Sequence, residues 1–270
     1  MRYNIFFFPA LLLSCVDESK ENPEEFISSS EIEIVDESFD IEDWANKRVV
    51  KKNDLLPRSS KIRVGNSHIL IPTPEAFRNA SKTQLGKNLY KILSNQLLSE
   101  KIIFIREKDF DNLNNKDFAK QWEEDTLWCG VRTMIDLENE DLNQIHLSEM
   151  LSEFENTITE SLSEIEEFQK QYVEEIVENR EDLGLSGDYQ VLDKKILPPF
   201  DVEDHSFSMM TLTKTQMGKK QFNEILVQRP TIINQKLLYF YVTTINFEEV
   251  EYIKGLLKSW VQVAQEINQN

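Results

Sequence analysis

Residues 201–205 read Asp-Val-Glu-Asp-His, which places three carboxylates (Asp201, Glu203 and Asp204) and the imidazole of His205 within five positions. Oxygen-rich loops of that kind hold Ca²⁺, and an imidazole among them recruits Zn²⁺. The run lacks both the spacing of an EF-hand and the glycine its sharp turn needs, so a solvated acidic loop after Pro198-Pro199 is the plainer reading. Cys129, in Trp128-Cys129-Gly130, could act as a nucleophile with His146 or His205 as its base. Its neighbours read as strand, where a lone cysteine packs as a small hydrophobe. His68 borders an apolar strand and is expected to be structural. The second cysteine, Cys15, follows the small Ser14 and a nine-residue apolar run, Ile5 to Leu13, with Arg2 ahead of it. Such a run is too short to span a bilayer, which takes about 20 apolar residues, and reads instead as a removable signal peptide over 1–14.

Leu12-Leu13-Ser14-Cys15 resembles the lipobox of bacterial lipoproteins. The resemblance implies a thioether-linked diacylglycerol on Cys15 and a third acyl chain on its amine. One chain binds a membrane reversibly, and two or more hold almost permanently. Val16 rather than Asp after the cysteine implies the outer membrane wherever the Asp-retention rule operates. Asp17 and Glu18 are similar to the surface-export signals of some Bacteroidetes lipoproteins, so either the periplasmic side or the cell surface fits. With Cys15 acylated, Cys129 is the one thiol left and no intramolecular disulfide can form.

The formal charge of −18 is concentrated in two places. Residues 16–43 carry twelve acids against Lys20, and residues 147–183 carry twelve against Lys170 and Arg180. The rest of the chain is close to neutral. Residues 15–45, rich in Ser, Glu and Asp, read as an acidic tether that holds a domain off the membrane. Docking of a basic partner or a divalent cation is the alternative use of such a segment. Nucleic-acid binding is disfavoured, because no basic stripe with interleaved aromatics offsets the acids. No Gly-rich phosphate loop, Gly-x-Ser-x-Gly or His-Glu-x-x-His occurs, and the chain has only seven glycines with which to build one. No catalytic residue and no cofactor is assigned.

These residues need elements to position them, and 46–270 is expected to supply one α+β domain. From Val131 to Leu183 there is neither Gly nor Pro. Leu151, Ile158, Ile165 and Tyr172 recur every seven residues, with Leu147, Phe154 and Phe168 between them, which predicts a long acidic helix over about 147–183. It is read as a scaffold lying on a sheet, with a coiled-coil seam as the alternative. Asn246-Phe247-Glu248-Glu249 has the form of a capping box. Val250, Ile253, Leu256, Leu257, Trp260, Val263, Ala264 and Ile267 then trace an amphipathic C-terminal helix. Gln221–Ile233 and Gln235–Thr244 suit a hairpin turning at Asn234-Gln235. His68–Ile71, Lys101–Arg106, Thr126–Leu137 and Phe207–Thr213 are further strands, and Lys82–Glu100 is a helix. Hairpin-linked strands with flanking helices give a mainly antiparallel sheet.

The opening strand His-Ile-Leu-Ile-Pro-Thr-Pro-Glu-Ala-Phe (68–77), the late hairpin 232–244 and the closing Trp-containing helix resemble Mog1/PsbP-like domains over about 62–268. The long acidic helix is additional to a minimal domain of that kind. Such domains serve unrelated roles, so the fold it implies leaves function open. The reading is therefore a lipid-anchored envelope protein, a non-enzymatic module that binds a protein or ligand or supports envelope assembly. A metal- or thiol-dependent hydrolase and a toxin-immunity lipoprotein are the alternatives. Since residues 16–43 offer little to bury, their deletion should leave the thermal midpoint unchanged within scatter; a drop of several degrees would show that Phe26, Ile32 or Phe39 packs on the domain.

Overall fold

The computed structural model describes residues 58–94, 97–113, 127–160, 189–203, 206–217 and 219–269. It opens with a hairpin of β1 (Ser59–Val64) and β2 (Ser67–Pro72), which form a two-stranded sheet of their own. Gly65 turns that hairpin at φ +56°, where a Cβ would meet the Glu138 carbonyl oxygen at 2.1 Å. There follow β3 (Phe77–Asn79), α1 (Gln84–Leu93), β4 (Leu98–Arg106), α2 (Glu107–Leu113) and β5 (Trp128–Met134). After α3 (Gln144–Glu160) come β6 (Tyr189–Ile196), β7 (Phe200–Glu203), β8 (Ser206–Met217), β9 (Lys220–Ile233) and β10 (Lys236–Thr244). Helix α4 (Val250–Asn268) closes the order.

The large sheet runs β3-β4-β5-β10-β9-β8-β6, with β7 pairing β8 off this path. Every pairing in it is antiparallel. Its centre, β10, is buried along its whole length. Leu238, Phe240 and Val242 face a core shared with α4 and the β1–β2 hairpin, through Ile253, Leu257, Trp260, Ile69 and Ile71. Leu237, Tyr239 and Tyr241 face the other way. There Leu147 and Met150 of α3 cover one cluster and Leu89 of α1 another. Alternation along one strand thus serves two cores.

The expected turn at Asn234-Gln235 is present, with both residues at positive φ (49° and 63°), as a primed two-residue hairpin turn requires. Pro230 is tolerated in the long strand β9 because it pairs Tyr239 of β10 beyond the point where the β8 ladder begins, at Met209 and Gln228. Three expectations need correcting. The strand anticipated over Thr126–Leu137 ends at Met134, and Ile135–Leu137 form a 3-10 helix instead. The helix anticipated over Lys82–Glu100 stops at Leu93, where the Ser94 N–H caps the Tyr90 carbonyl, and Leu98–Glu100 already belong to β4. Asn246 does cap, accepting from the Glu248 N–H at 3.0 Å, but Glu249 does not return the bond. Its carboxylate instead takes Arg106 Nη1 at 2.5 Å and the Thr244 hydroxyl at 2.9 Å, tying the helix start to β4. Of the helix expected over 147–183, the described part runs to Glu160 and 161–183 lie outside the described residues.

Helix α4 is held to the hairpin by polar as well as apolar contacts. Trp260 packs edge-on against Phe240 and Phe104, at 4.9 and 5.7 Å between ring centres, while its indole N–H donates to the Pro72 carbonyl at 2.7 Å. The Asn268 amide accepts from the Leu70 N–H and donates to the Leu70 carbonyl, at 3.0 and 2.7 Å. Trp260→Ala removes a buried ring and orphans the Pro72 carbonyl. Truncating a buried Trp costs about 3–5 kcal/mol, a large share of the ~5–15 kcal/mol that holds a domain together. Chemical denaturation should therefore show a strongly lowered midpoint, or the protein should fail to accumulate; an unchanged midpoint would contradict this packing.

Candidate functional site

Among the described residues, the chemistry-bearing side chains expected from sequence do not converge. Cys129 is fully buried on β5 and points into the core beneath α4. Burial alone pushes its thiol well above the ordinary cysteine value, the reverse of what a nucleophilic thiolate needs. His146 lies at the start of α3, on the other side of the sheet, with Nδ1 accepting the Asn143 N–H at 3.0 Å. The thiol–imidazole pair with His146 is thus not assembled; His205, the other candidate base, lies outside the described residues. His68 is exposed on β2 and contributes its carbonyl to the Asn234 amide.

In the acidic loop, Asp204 and His205 also lie outside the described residues. Asp201 is exposed and sits at φ 47°. Glu203 is engaged by cations of the protein itself: Arg229 Nη2 at 3.5 Å and Lys258 Nζ at 3.6 Å. Arg229 is buried and donates to the Ser208 and Ser206 hydroxyls at 3.0 and 2.5 Å. Burial lowers its basicity, and Glu203 and Asp201 oppose that shift. Lys254 rests over the Phe200 ring at 5.3 Å. Glu203 therefore balances Arg229 of β9 and Lys258 of α4. No group of three or more metal-ligating side chains occurs among the described residues.

A polar cluster that sequence reasoning missed lies on the opposite face, between the apolar clusters under α1 and α3. Its central residue is Glu100, only 5% exposed on β4. A bulge after Glu100 resets the strand register, because Glu100 pairs Arg132 whereas Ile102 pairs the adjacent Val131. Leu98 and Glu100 consequently share the face of Tyr239 and Arg132, while Ile102 and Phe104 turn to the α4 core. A single extra residue, Lys101, directs a carboxyl into the protein. Lys101 itself reaches outward to Glu138.

Glu100 Oε2 accepts the Tyr241 hydroxyl at 2.9 Å. Gly130, directly across from Tyr241, makes that possible: a Cβ there would sit 2.4 Å from the Tyr241 hydroxyl oxygen and 2.8 Å from the Ile102 carbonyl oxygen. The Arg132 guanidinium lies over the Tyr241 ring at 4.9 Å and donates from Nη2 to Gln228 Oε1 at 2.6 Å. Two atoms of the cluster, Glu100 Oε1 and Arg132 Nε, are buried without a hydrogen-bond partner among the described residues. Burial raises the Glu100 carboxyl to about 7, against the opposing pull of Arg132, the Tyr241 hydrogen bond and Lys101. Burial and the neighbouring carboxylate likewise push the Tyr241 phenol well up. Glu100 thus changes charge near neutral pH inside the protein, a property concentrated at functional sites. One sequence signal was available: an acidic residue in Leu98-Ser99-Glu100-Lys101-Ile102 that interrupts a strand pattern just before four apolar residues.

No protein-family model matches the chain, and no curated protein matches it. Two solved structures do: a point mutant of the protein Mog1 and the Ran-binding protein Mog1p of Saccharomyces cerevisiae. Each is 10% identical, covers 77% of this chain and 92% of its own, and superposes with a TM-score of 0.25. At that score the likeness carries no argument about family, partner or activity; the α+β class rests on the sheet and helices themselves.

Gly130→Ala tests the packing of the cluster. The new methyl forces the Tyr241 side chain off Glu100, and overpacking of this kind costs about 1–3 kcal/mol. Tyr241→Phe removes the donor without adding bulk. A lost hydrogen bond to the ionised form raises a carboxyl's pKa, so carboxyl-detected NMR titration should find Glu100 titrating higher in the Phe variant. An unmoved or lowered titration would break the Tyr241–Glu100 assignment.

Proposed function

We propose that this chain is a lipid-anchored envelope protein whose α+β region acts as a binding or assembly module without catalysis of its own. The observation that carries the anchor is Leu12-Leu13-Ser14-Cys15 following the nine-residue apolar run. No described helix is long and apolar enough to cross a membrane; the attachment we propose is through acyl chains at Cys15. The binding role is supported by how the reactive side chains are used. Cys129 fills a core, Glu203 pairs with Arg229 and Lys258, and His146 caps its own helix turn. Phe247 and Tyr252 stand exposed at the start of α4, and aromatic side chains of this kind are enriched where proteins meet. A protein partner, possessing its own apolar patch, is the occupant this surface suits.

Cys15→Ser tests the anchor, because only a thiol can form the thioether. The variant should lose metabolic labelling with fatty acid and pass from the membrane fraction to the soluble one. Retention with membranes after a high-salt wash would overturn the lipoprotein reading. For the binding role, Phe247→Ser with Tyr252→Ser should abolish cross-linking to envelope proteins in the native membrane while leaving the thermal midpoint nearly unchanged. Undiminished cross-linking would move the partner surface elsewhere.

A further inference from the structure

We propose that Arg229, Ser206 and Lys258 form a binding site for a small soluble oxyanion of the phosphate type, and that the Glu203 carboxylate occupies it as an internal stand-in until such an anion displaces it. Three elements build the site on the α4 side of the sheet. Ser206 and Ser208, two apart on β8, share the face that Met210 turns to the α4 core. Arg229 is on that face of β9, because it pairs Phe240 of the same core. Lys258 reaches the site from α4, and β7 sets Glu203 beside Ser206. The inference goes beyond the protein-binding reading and uses none of the residues of that surface.

Arg229 is 4% exposed, and a guanidinium that deep needs acceptors around it. Ser208 fixes it by accepting from Nη1, which leaves Nη2 directed at Ser206 and Glu203. The Ser206 hydroxyl accepts from Nη2 and keeps its own proton to donate, which it gives to Glu203 Oε2 at 3.2 Å. Glu203 fills this position poorly. Its oxygens stand 3.5 Å from Arg229 Nη2 and 3.6 Å from Lys258 Nζ, whereas charge-assisted bonds close to about 2.7–2.9 Å. Its side chain is 57% exposed, so water competes for it and the pair holds it weakly. Burial still lowers the basicity of Arg229 with Glu203 in place and Asp201 as the other acid acting on it. Lys254, one turn before Lys258, is paired with Glu251 at 2.6 Å and takes no part. With Glu203 turned away, Arg229 and Lys258 outweigh Asp201. A carboxylate on a fixed stem offers two oxygens to three donors from different elements, and a free tetrahedral oxyanion offers enough for each to close to full hydrogen-bond distance.

The experiment titrates the full-length protein, held in a detergent without phosphate groups, with inorganic phosphate and in parallel with acetate at equal ionic strength, and reads binding by calorimetry. Glu203→Gln removes the charge of the stand-in and should bind phosphate about tenfold more tightly than wild type, because the competing occupant is gone. Adding Lys258→Ala, a half-exposed position whose loss spares the core, should cancel that gain. Acetate should gain less than phosphate. Should Glu203→Gln fail to fold, Lys258→Ala in the otherwise wild-type chain supplies the second arm and should weaken phosphate binding several-fold. Equal phosphate affinity in wild type and Glu203→Gln would overturn the site. So would a gain that survives Lys258→Ala, which marks a general effect of net charge, or acetate binding as tightly as phosphate.

Discussion

The two-sided burial of β10 is the constraint on which the rest of the architecture depends. All nine of its residues are buried, so its two faces must each be covered by something that arrives from elsewhere in the chain. One cover is α4 with the β1–β2 hairpin, and the other is divided between α1 and α3. This division has a cost. Two separate helices leave a seam on their side of the sheet, and it is along that seam that Arg132, Gln228, Tyr241 and Glu100 are found. Opposite, α4 lies across the sheet as one helix over a largely apolar core, and the buried Arg229 on that face is answered by Ser206, Ser208 and Glu203.

Sequence made the parts governed by strong local chemistry readable. The Asn234-Gln235 turn, the alternation through 236–244, the Asn246 cap and the stripe from Ile253 to Ile267 all follow from side-chain preference and period. What resisted was decided by distant partners. The periodicity of 85–97 continues past Leu93, but Leu98 and Glu100 pair with Met134 and Arg132 and so leave the helix for the sheet. Glu249 looked like half of a capping box, yet the Asn246 N–H is already taken by the Thr244 hydroxyl, and a buried arginine more than a hundred residues away holds the glutamate. β6 is polar and lies at the sheet's edge, and β7 has only four residues and pairs β8 alone, where one face has little to bury and the alternation signal fades.

The candidate site was hidden for a related reason. Three acids and a histidine side by side draw the eye, but closeness in sequence marks a solvated loop as readily as a site, and Glu203 is used to balance Arg229 and Lys258. The groups that do meet come one each from four strands: Glu100, Arg132, Tyr241 and Gln228. Only sheet order brings β4, β5, β10 and β9 together. Nor does Gly130 stand out in the sequence. Its role depends on a tyrosine from another strand passing over it, a relation that exists only once the ladder has formed.

The Asn268 clamp on Leu70 joins residues 198 positions apart, and this has a consequence for how the chain reaches its structure. Loop-closure entropy must be met before a contact of that span gives anything back, so the topology belongs to the slow end of folding rates. During synthesis from the N-terminal end, the hairpin of residues 59–72 emerges nearly two hundred residues before the helix that covers it. Until that helix appears, Leu238, Phe240 and Val242 present an uncovered greasy face. An intermediate of this kind invites association between nascent chains, so a ribosome stalled before residue 250 would release an aggregation-prone product, one the cell would have to shield or degrade.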